Sequence, residues 1–332
     1  MADNLIERVL KTVRDYDMLK PNDTVLAAVS GGPDSVFLLY VLDALKRKLK
    51  MRKLAVCNLD HGLRGDESRE DSLFVKRLAA KMGLEFIHKK IKLNDHRSGD
   101  LSPEELGREA RYKFFRSAAD KTGASVIATG HTLDDQAETV LMRFIKGASL
   151  KGIVGISPVR ADGKLSVIRP LLELEKEEIK KFLHDRDISY RTDHTNLEPI
   201  YFRNVVRQEI IPFLERFNPR LKKALFNLAE HLREDFEFIE TEREKNKGLA
   251  LRTKEGALEV RLIDIIVQPR ALQKEVLRDS LEKAGGTVKK LSFKHWKEIE
   301  NLIKYKRRGN SVDLPGSIRV TRTEKSLVFH KI

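Results

Sequence analysis

The sequence predicts an α/β protein: a doubly wound parallel sheet, then a helical linker and a small α+β C-terminal domain. Three observations carry this. Short apolar runs at 25–29, 54–59, 84–91 and 125–129 alternate with helical patterns at 3–18, 35–50, 67–82, 103–122 and 133–146. That β-α-β-α rhythm is the pattern of a parallel sheet covered on both faces. The 332 residues are enough for two cores. Charge is unevenly spread: residues 216–332 hold 27 Lys+Arg against 17 Asp+Glu, whereas residues 1–215 hold 37 against 33. The expected division is a nucleotide-binding domain at 1–215, a linker at 216–248 and a basic domain at 249–332.

In chain order, the first strand, Val25-Leu26-Ala27-Ala28-Val29, runs into Ser30-Gly31-Gly32-Pro33-Asp34-Ser35, and a helical pattern follows. Strand, glycine turn and helix start together make a phosphate cradle. Glycine lets the backbone approach an anion, and the helix start supplies free N–H groups and a positive dipole end. Ser30 and Ser35 add hydroxyl donors, and Asp34 adds a carboxylate suited to Mg²⁺. The turn lacks the Lys of a Walker A loop and the spacing of the dinucleotide fingerprint. A serine-rich turn before an ordinary helix stays open on the loop alone.

The second strand, 54–59, ends in a polar loop carrying Asp60-His61-Gly62-Leu63-Arg64. His61 and Arg64 are candidates for a substrate carboxylate or phosphate, although a capped loop would read the same way. In the helix at 103–122, Arg111 is the better phosphate candidate, and Tyr112 and Phe115 read as core. The fourth strand, 125–129, leads into Gly130-His131-Thr132-Leu133-Asp134-Asp135-Gln136-Ala137-Glu138. Asp134 and Glu138 are i,i+4 neighbours, and Asp135 and Glu138 are i,i+3. A cap explains some of these acids. Such carboxylates also hold Mg²⁺ or take protons, and His131 can donate to a developing phosphate charge. The glycine turn, the segment after Leu59 and the segment after Thr129 all follow strand ends, where a parallel sheet forms its ligand crevice.

Residues 147–170 read as loops with a strand near 166–168, and a helix follows at 173–185. Residues 198–245 read as helices broken near Pro212 and Pro219. Arg203 and Arg207, at i and i+4, share a face that pairs with acids or meets an anion. Beyond 249 the pattern is a strand-like 258–263, helices near 268–284 and 292–305, and strands around 311–313, 317–322 and 326–330.

Composition narrows the function. With 41% hydrophobic residues, 34% charged and no apolar run near the roughly 20 residues of a membrane span, no membrane role is expected. The acidic, amphipathic start is unlike a signal peptide, so a cytoplasmic setting is the default. The single cysteine, Cys57, sits in an apolar run; alone it cannot make an intrachain disulfide or a cysteine-held zinc or Fe–S site. A net charge of +14 suits a polyanionic partner or a solubilising surface.

The turn at 30–35 resembles the PP-loop of the ATP pyrophosphatase superfamily, whose fold is of the adenine nucleotide alpha hydrolase type. With Asp60–Arg64, Ala128–Thr139 and the stretch from Asp193-His194-Thr195-Asn196 to Phe202-Arg203-Asn204-Val205-Val206-Arg207, the set is similar to the tRNA(Ile)-lysidine synthetase family over about residues 20–210. The length and charge of the remainder resemble its short form, with one C-terminal domain. The resemblance implies ATP and Mg²⁺, free L-lysine and a CAU-anticodon tRNA(Ile), whose wobble cytidine is adenylated at C2 and then joined to lysine. It implies that Ser30, Gly31, Gly32, Pro33, Asp34 and Ser35 hold pyrophosphate, and that Asp34 and Asp135 hold the metal. Arg111 and His131 would neutralise charge at the α-phosphate, and Glu138 would hold or deprotonate the lysine ammonium. His61 and Arg64 would contact lysine or ATP, and Arg203 and Arg207 the tRNA or the adenylate. Lys289, Lys290, Lys304, Lys306, Arg307 and Arg308 would grip the tRNA backbone, and a homodimer is compatible with this scheme. The alternatives are a PP-loop tRNA thiolase, which a single cysteine disfavours, a small-molecule amidating ligase, which needs no basic domain, and a non-catalytic RNA-binding module, which leaves the 131–138 acids unexplained.

Overall fold

In the computed structural model the described residues are 2–60, 66–91, 103–191, 202–245, 249–252, 257–286 and 291–332. The chain divides into two compact units, Met1–Glu230 and His231–Ile332. The division falls inside the long helix α10 (Leu221–Lys245), which holds most of the segment expected as a linker.

The first unit is built on a six-stranded sheet of order β3-β2-β1-β4-β6-β5. Its strands are β1 (Thr24–Ala28), β2 (Lys53–Asp60), β3 (Glu85–Lys90), β4 (Val126–Ala128), β5 (Val159–Asp162) and β6 (Leu165–Ile168). All neighbouring pairs are parallel except β5 with β6. The order reverses between β1 and β4, so the crevice beyond their carboxyl ends is the topological switch point. Period-2 alternation sends β1 residues to two cores. Val25 and Ala27 pack with α1 (Ala2–Asp15), α2 (Pro33–Leu45), α3 (Asp66–Lys81) and α7 (Lys176–His184). Leu26 packs with Ala55, Cys57 and Ile127 against Phe114, Phe115, Ala118 and Ala119 of α4 (Pro103–Thr122). Each buried Leu or Phe removes enough apolar surface to contribute about 2 kcal/mol. Burial also raises the Cys57 thiol above its ordinary pKa, so it stays protonated and inert.

Several expectations need adjusting. Helix α2 starts at Pro33, not near 35, because Pro is pre-set for a first helical turn. It stops at Leu45, before the basic turns that end in Lys50 at φ +49°. Strand β5 was not anticipated; it is half exposed and pairs only with β6. Pro212 does not break the chain's helical course. Helix α8 (Phe202–Val205) widens into a π turn at Val206–Ile210 and continues as α9 (Ile211–Glu215). In the widened turn the Ile211 N–H reaches the Val206 carbonyl five residues back, and Pro212 then sits in the first turn of α9, where no donor is missed.

The second unit is α+β. Its antiparallel sheet has the order β7-β8-β11-β10-β9, from β7 (Ala250–Arg252), β8 (Leu258–Arg261), β9 (Ser311–Leu314), β10 (Ile318–Arg322) and β11 (Ser326–Lys331). Val260, Val320 and Phe329 form its core with Leu277 of α12 (Arg270–Lys283) and Ile299 of α13 (Phe293–Lys304). The run at 258–263 is not one strand. It turns after Arg261 into α11 (Leu262–Ile266), which buries Leu262 and Ile265. No described helix is long and apolar enough to cross a membrane.

Candidate active site

The turn after β1 folds around a single hydroxyl. Ser35 Oγ accepts the N–H groups of Ser30 and Gly31, each at 3.2 Å, and donates to the Gly32 carbonyl at 2.9 Å. Gly31 holds φ +102°, which L side chains rarely adopt, and its carbonyl accepts the Arg191 N–H at 2.9 Å. Asp34 follows at the start of α2. Its Oδ1 is buried and has no hydrogen-bond partner. Burial raises its pKa to about 6, with Asp135 and Asp134 adding to the rise and Lys176 opposing it.

The entry to α5 (Leu133–Ile145) presses directly against this turn. A Cβ on Gly130 would lie 3.1 Å from the Asp34 carbonyl group and 3.2 Å from the Ser35 nitrogen, so any side chain there would press the two backbones apart by a few tenths of an ångström. Thr132 caps α5 in a reciprocal box with Asp135. One Asp135 oxygen therefore accepts from Thr132, and the other accepts Lys176 Nζ at 2.9 Å and Arg203 at 3.4 Å. Burial would raise Asp135, but Lys176, His131 and Arg203 outweigh it and hold the carboxyl well below the usual range.

Glu138 lies one turn further on and is 1% exposed. Arg203 Nε donates to one of its oxygens at 2.7 Å and Arg207 Nε to the other at 2.6 Å. These bonds raise Arg207 above the ordinary guanidinium range. Asp134 and Glu138 stand one turn apart on α5, as their i,i+4 spacing implies, but they serve different partners. Asp134 turns to Lys222 Nζ at 2.8 Å and to the Lys176 N–H at 2.9 Å.

His131 pairs through Nδ1 with Thr129 Oγ1 at 2.9 Å. Burial lowers its pKa to about 4, with Arg169, Arg111 and Arg203 reinforcing the fall against Asp135. It is therefore neutral at physiological pH. It can offer a hydrogen bond, while charge neutralisation falls to the cations around it.

These groups line one cleft of about 980 Å³ at the switch point. Ser30, Gly32, Pro33, Asp34, Ser35, Arg111, His131, Asp135, Arg203 and Arg207 all face it. Gly31 stands behind, closing the turn, and Glu138 is also absent from the lining, held beneath the two arginines. His61, Arg64 and the 193–196 motif lie outside the described residues, as do Lys289 and Lys290. Sequence reasoning missed Lys176 and Lys180, which also line the cleft. A signal was present in the sequence: Lys176 opens α7, where a cation opposes the helix dipole, and Lys180 follows it at i,i+4 on the same face. It also missed Asn58, buried at the end of β2, which donates to the Val29 carbonyl at 2.8 Å and so ties β2 to the strand leading into the glycine turn.

The site suits a polyphosphate with a divalent cation. The glycine turn and α2 start present N–H groups, Arg111, Lys176, Lys180, Arg203 and Arg207 supply positive charge, and the unpartnered Asp34 oxygen supplies one hard ligand. Asp135 fits a metal less well, because both oxygens already receive donors. No group of three or more potential metal-binding side chains occurs among the described residues, so most ligands of a cation here would come from phosphate and water.

Comparison with known proteins agrees with this geometry. A family model described as a PP-loop domain matches residues 1–214. The tRNA(Ile)-lysidine synthase of Clostridioides difficile is 33% identical over 98% of this chain and 70% of its own length. That of Geobacter sulfurreducens is 35% identical over 98% of this chain and 69% of its own. Among solved structures, the U34-tRNA thiolase NcsA of Methanococcus maripaludis, with a [4Fe-4S] cluster, has a TM-score of 0.57 at 20% identity, covering 70% of this chain and 80% of that one. That likeness concerns the fold alone.

Proposed function

The chain belongs to the tRNA(Ile)-lysidine synthases, a family of PP-loop enzymes, and we propose that its switch-point cleft carries out their ATP-dependent ligation by the following division of labour. It is an ATP-using ligase that modifies tRNA. The observation that carries the reading is the buried, unpartnered Oδ1 of Asp34, set where a glycine turn and a helix start converge under a cationic cleft.

ATP places its β- and γ-phosphates on Ser30–Ser35. The C2 oxygen of the wobble cytidine attacks the α-phosphorus, an O–P bond forms and pyrophosphate leaves. Arg111 and the Lys176/Lys180 face stabilise the charge that builds on the phosphoryl oxygens, and neutral His131 donates a hydrogen bond. Mg²⁺ on Asp34 would supply further charge neutralisation between phosphates. The ε-amine of free lysine, having lost its proton from a pKa near 10.4, then attacks C2, and AMP departs with the C2 oxygen. Glu138 positions Arg203 and Arg207 and does not receive the lysine amine, because both its oxygens are occupied.

The second unit serves as the tRNA-backbone grip. Lys304, Lys306, Arg307 and Arg308 follow one another at the end of α13 and are exposed. A thiolase reading requires more than Cys57, which is buried and protonated. The reading places the enzyme in the cytoplasm with its tRNA.

Incubation with ATP, labelled lysine and purified tRNAs tests this. Label should enter CAU-anticodon isoleucine tRNA only, with AMP and pyrophosphate formed in equal amounts. Label in no tRNA, or AMP formation independent of lysine with sulfur incorporated instead, would overturn it.

A further inference from the structure

The last turn of α5 and the loop after it form a rim that the reaction scheme leaves unused. Phe144 is 67% exposed and Ile145 49%, although both continue the helical stripe through which Ala137 and Leu141 pack on Val206 and Ile211. Phe202, at 37%, opens α8 immediately before the cleft residue Arg203. Lys146 brings the two together: its Nζ lies 5.4 Å from the centroid of the Phe202 ring. Exposed apolar side chains gathered beside cations are candidates for an interaction surface.

Charge says which partner it suits. From Thr139 to Arg160 the chain has Arg143, Lys146, Lys151 and Arg160 and no acid. Arg143 is turned inward, donating to the carbonyls of Gly152 at 2.6 Å and Gly155 at 2.9 Å, which fixes the loop. Lys146 and Lys151 remain exposed. Aromatic faces beside outward cations suit single-stranded nucleic acid, whose bases stack on the rings while its phosphates meet the ammonium groups. They suit an acidic protein less well, which offers nothing for the rings to stack on.

We propose that Phe144, Phe202 and Lys146 form a stacking platform for the RNA-loop nucleotides next to the cytidine that enters the cleft. This rests on the tRNA-ligase reading. A base presented for chemistry must leave its stack, and its neighbours then lose a stacking partner. Phe202 directly precedes the cleft residue Arg203 in α8, so a base held on its ring would lie close to the cleft without entering it.

The test uses the full chain and a fluorescently labelled anticodon stem-loop with a CAU loop. Phe144→Ala and Phe202→Ala should each weaken binding on the order of tenfold, with unchanged ATP affinity, and Phe144→Ala, whose ring is mostly exposed, with unchanged melting temperature. A stem-loop with abasic sites flanking the cytidine should lose a similar factor on the wild-type enzyme and little more on Phe202→Ala. Lys146→Ala should lower the salt dependence of binding. Unchanged RNA affinity in both Phe variants, or fully additive losses with the abasic RNA, would overturn the platform. So would a change of oligomeric state at constant RNA affinity, which would make the rim a self-association surface. Failure of the wild-type enzyme to attach lysine would instead overturn the ligase reading, while binding of the stem-loop would still report on the rim.

Discussion

The two walls of the cleft treat their buried carboxylates in opposite ways. On the glycine-turn side, Asp34 keeps an oxygen without a partner and has its pKa pushed up to about 6. On the α5 side, Asp135 and Glu138 are saturated by Thr132, Lys176, Arg203 and Arg207. An unpaired buried charge costs stability and persists only where a ligand completes it; a saturated one fixes the groups that surround it. The difference teaches that the first wall keeps an open ligand position and the second fixes its side chains, which under the proposed function makes the one bind and the other align.

The largest effect should come from breaking the aligned wall. Glu138→Ala leaves two guanidinium groups without their acceptor and should destabilise the protein by about 3 kcal/mol, measured by denaturant unfolding, with loss of ligation. An unchanged midpoint would mean that the pairing is incidental. Asp34→Asn should do the reverse. Activity should fall at least about a hundredfold, while stability at neutral pH rises, by no more than about 3 kcal/mol. The sign follows from the raised pKa. Ionised Asp34 is disfavoured only in the folded state, so its cost is full above about pH 6 and is relieved as pH falls towards its unfolded value. A variant both inactive and less stable would contradict the contrast.

A pH profile sharpens it further. The affinity of the metal-free protein for Mg²⁺ should decline as pH drops through about 6, to roughly a tenth by pH 5, as Asp34 takes up a proton. His131 stays neutral down to about 4 and contributes nothing to that limb. A His131→Gln protein should therefore keep the same acid limb; a limb that moves would assign the titration to His131. The smallest effect lies outside the cleft. Replacing Lys306, Arg307 and Arg308 with alanine should lower the slope of log affinity for tRNA against log salt by about 2, leaving ATP binding unchanged. An unaltered slope would make the basic segment a solubilising surface.

How much of this the sequence disclosed depends on range. Parallel strands buried on both faces read as continuous apolar runs, so β1, β2 and β4 were legible within a residue or two. β5 and β7 were not, being short strands held at sheet edges by their partners. The site's local parts, the turn at 30–35 and the cap at 132–135, follow from neighbouring residues. Its long-range parts do not. Lys176 lies 41 residues from Asp135, and Arg207 lies 69 from Glu138. The sequence left Arg203 and Arg207 open between pairing with acids and facing an anion; the fold pairs both with Glu138 and leaves both on the lining of the cleft. Likewise the spacing of Asp134, Asp135 and Glu138 could not show that Lys222, 88 residues beyond Asp134, would pair with it.

Cys57, sealed in the β2 core with its thiol held protonated, has a practical consequence. The native surface offers maleimide reagents no cysteine to attack. Any cysteine introduced on the outside is the sole labelling handle, so a dye or spin label at position 144, or on the second unit, can be attached without first stripping native thiols.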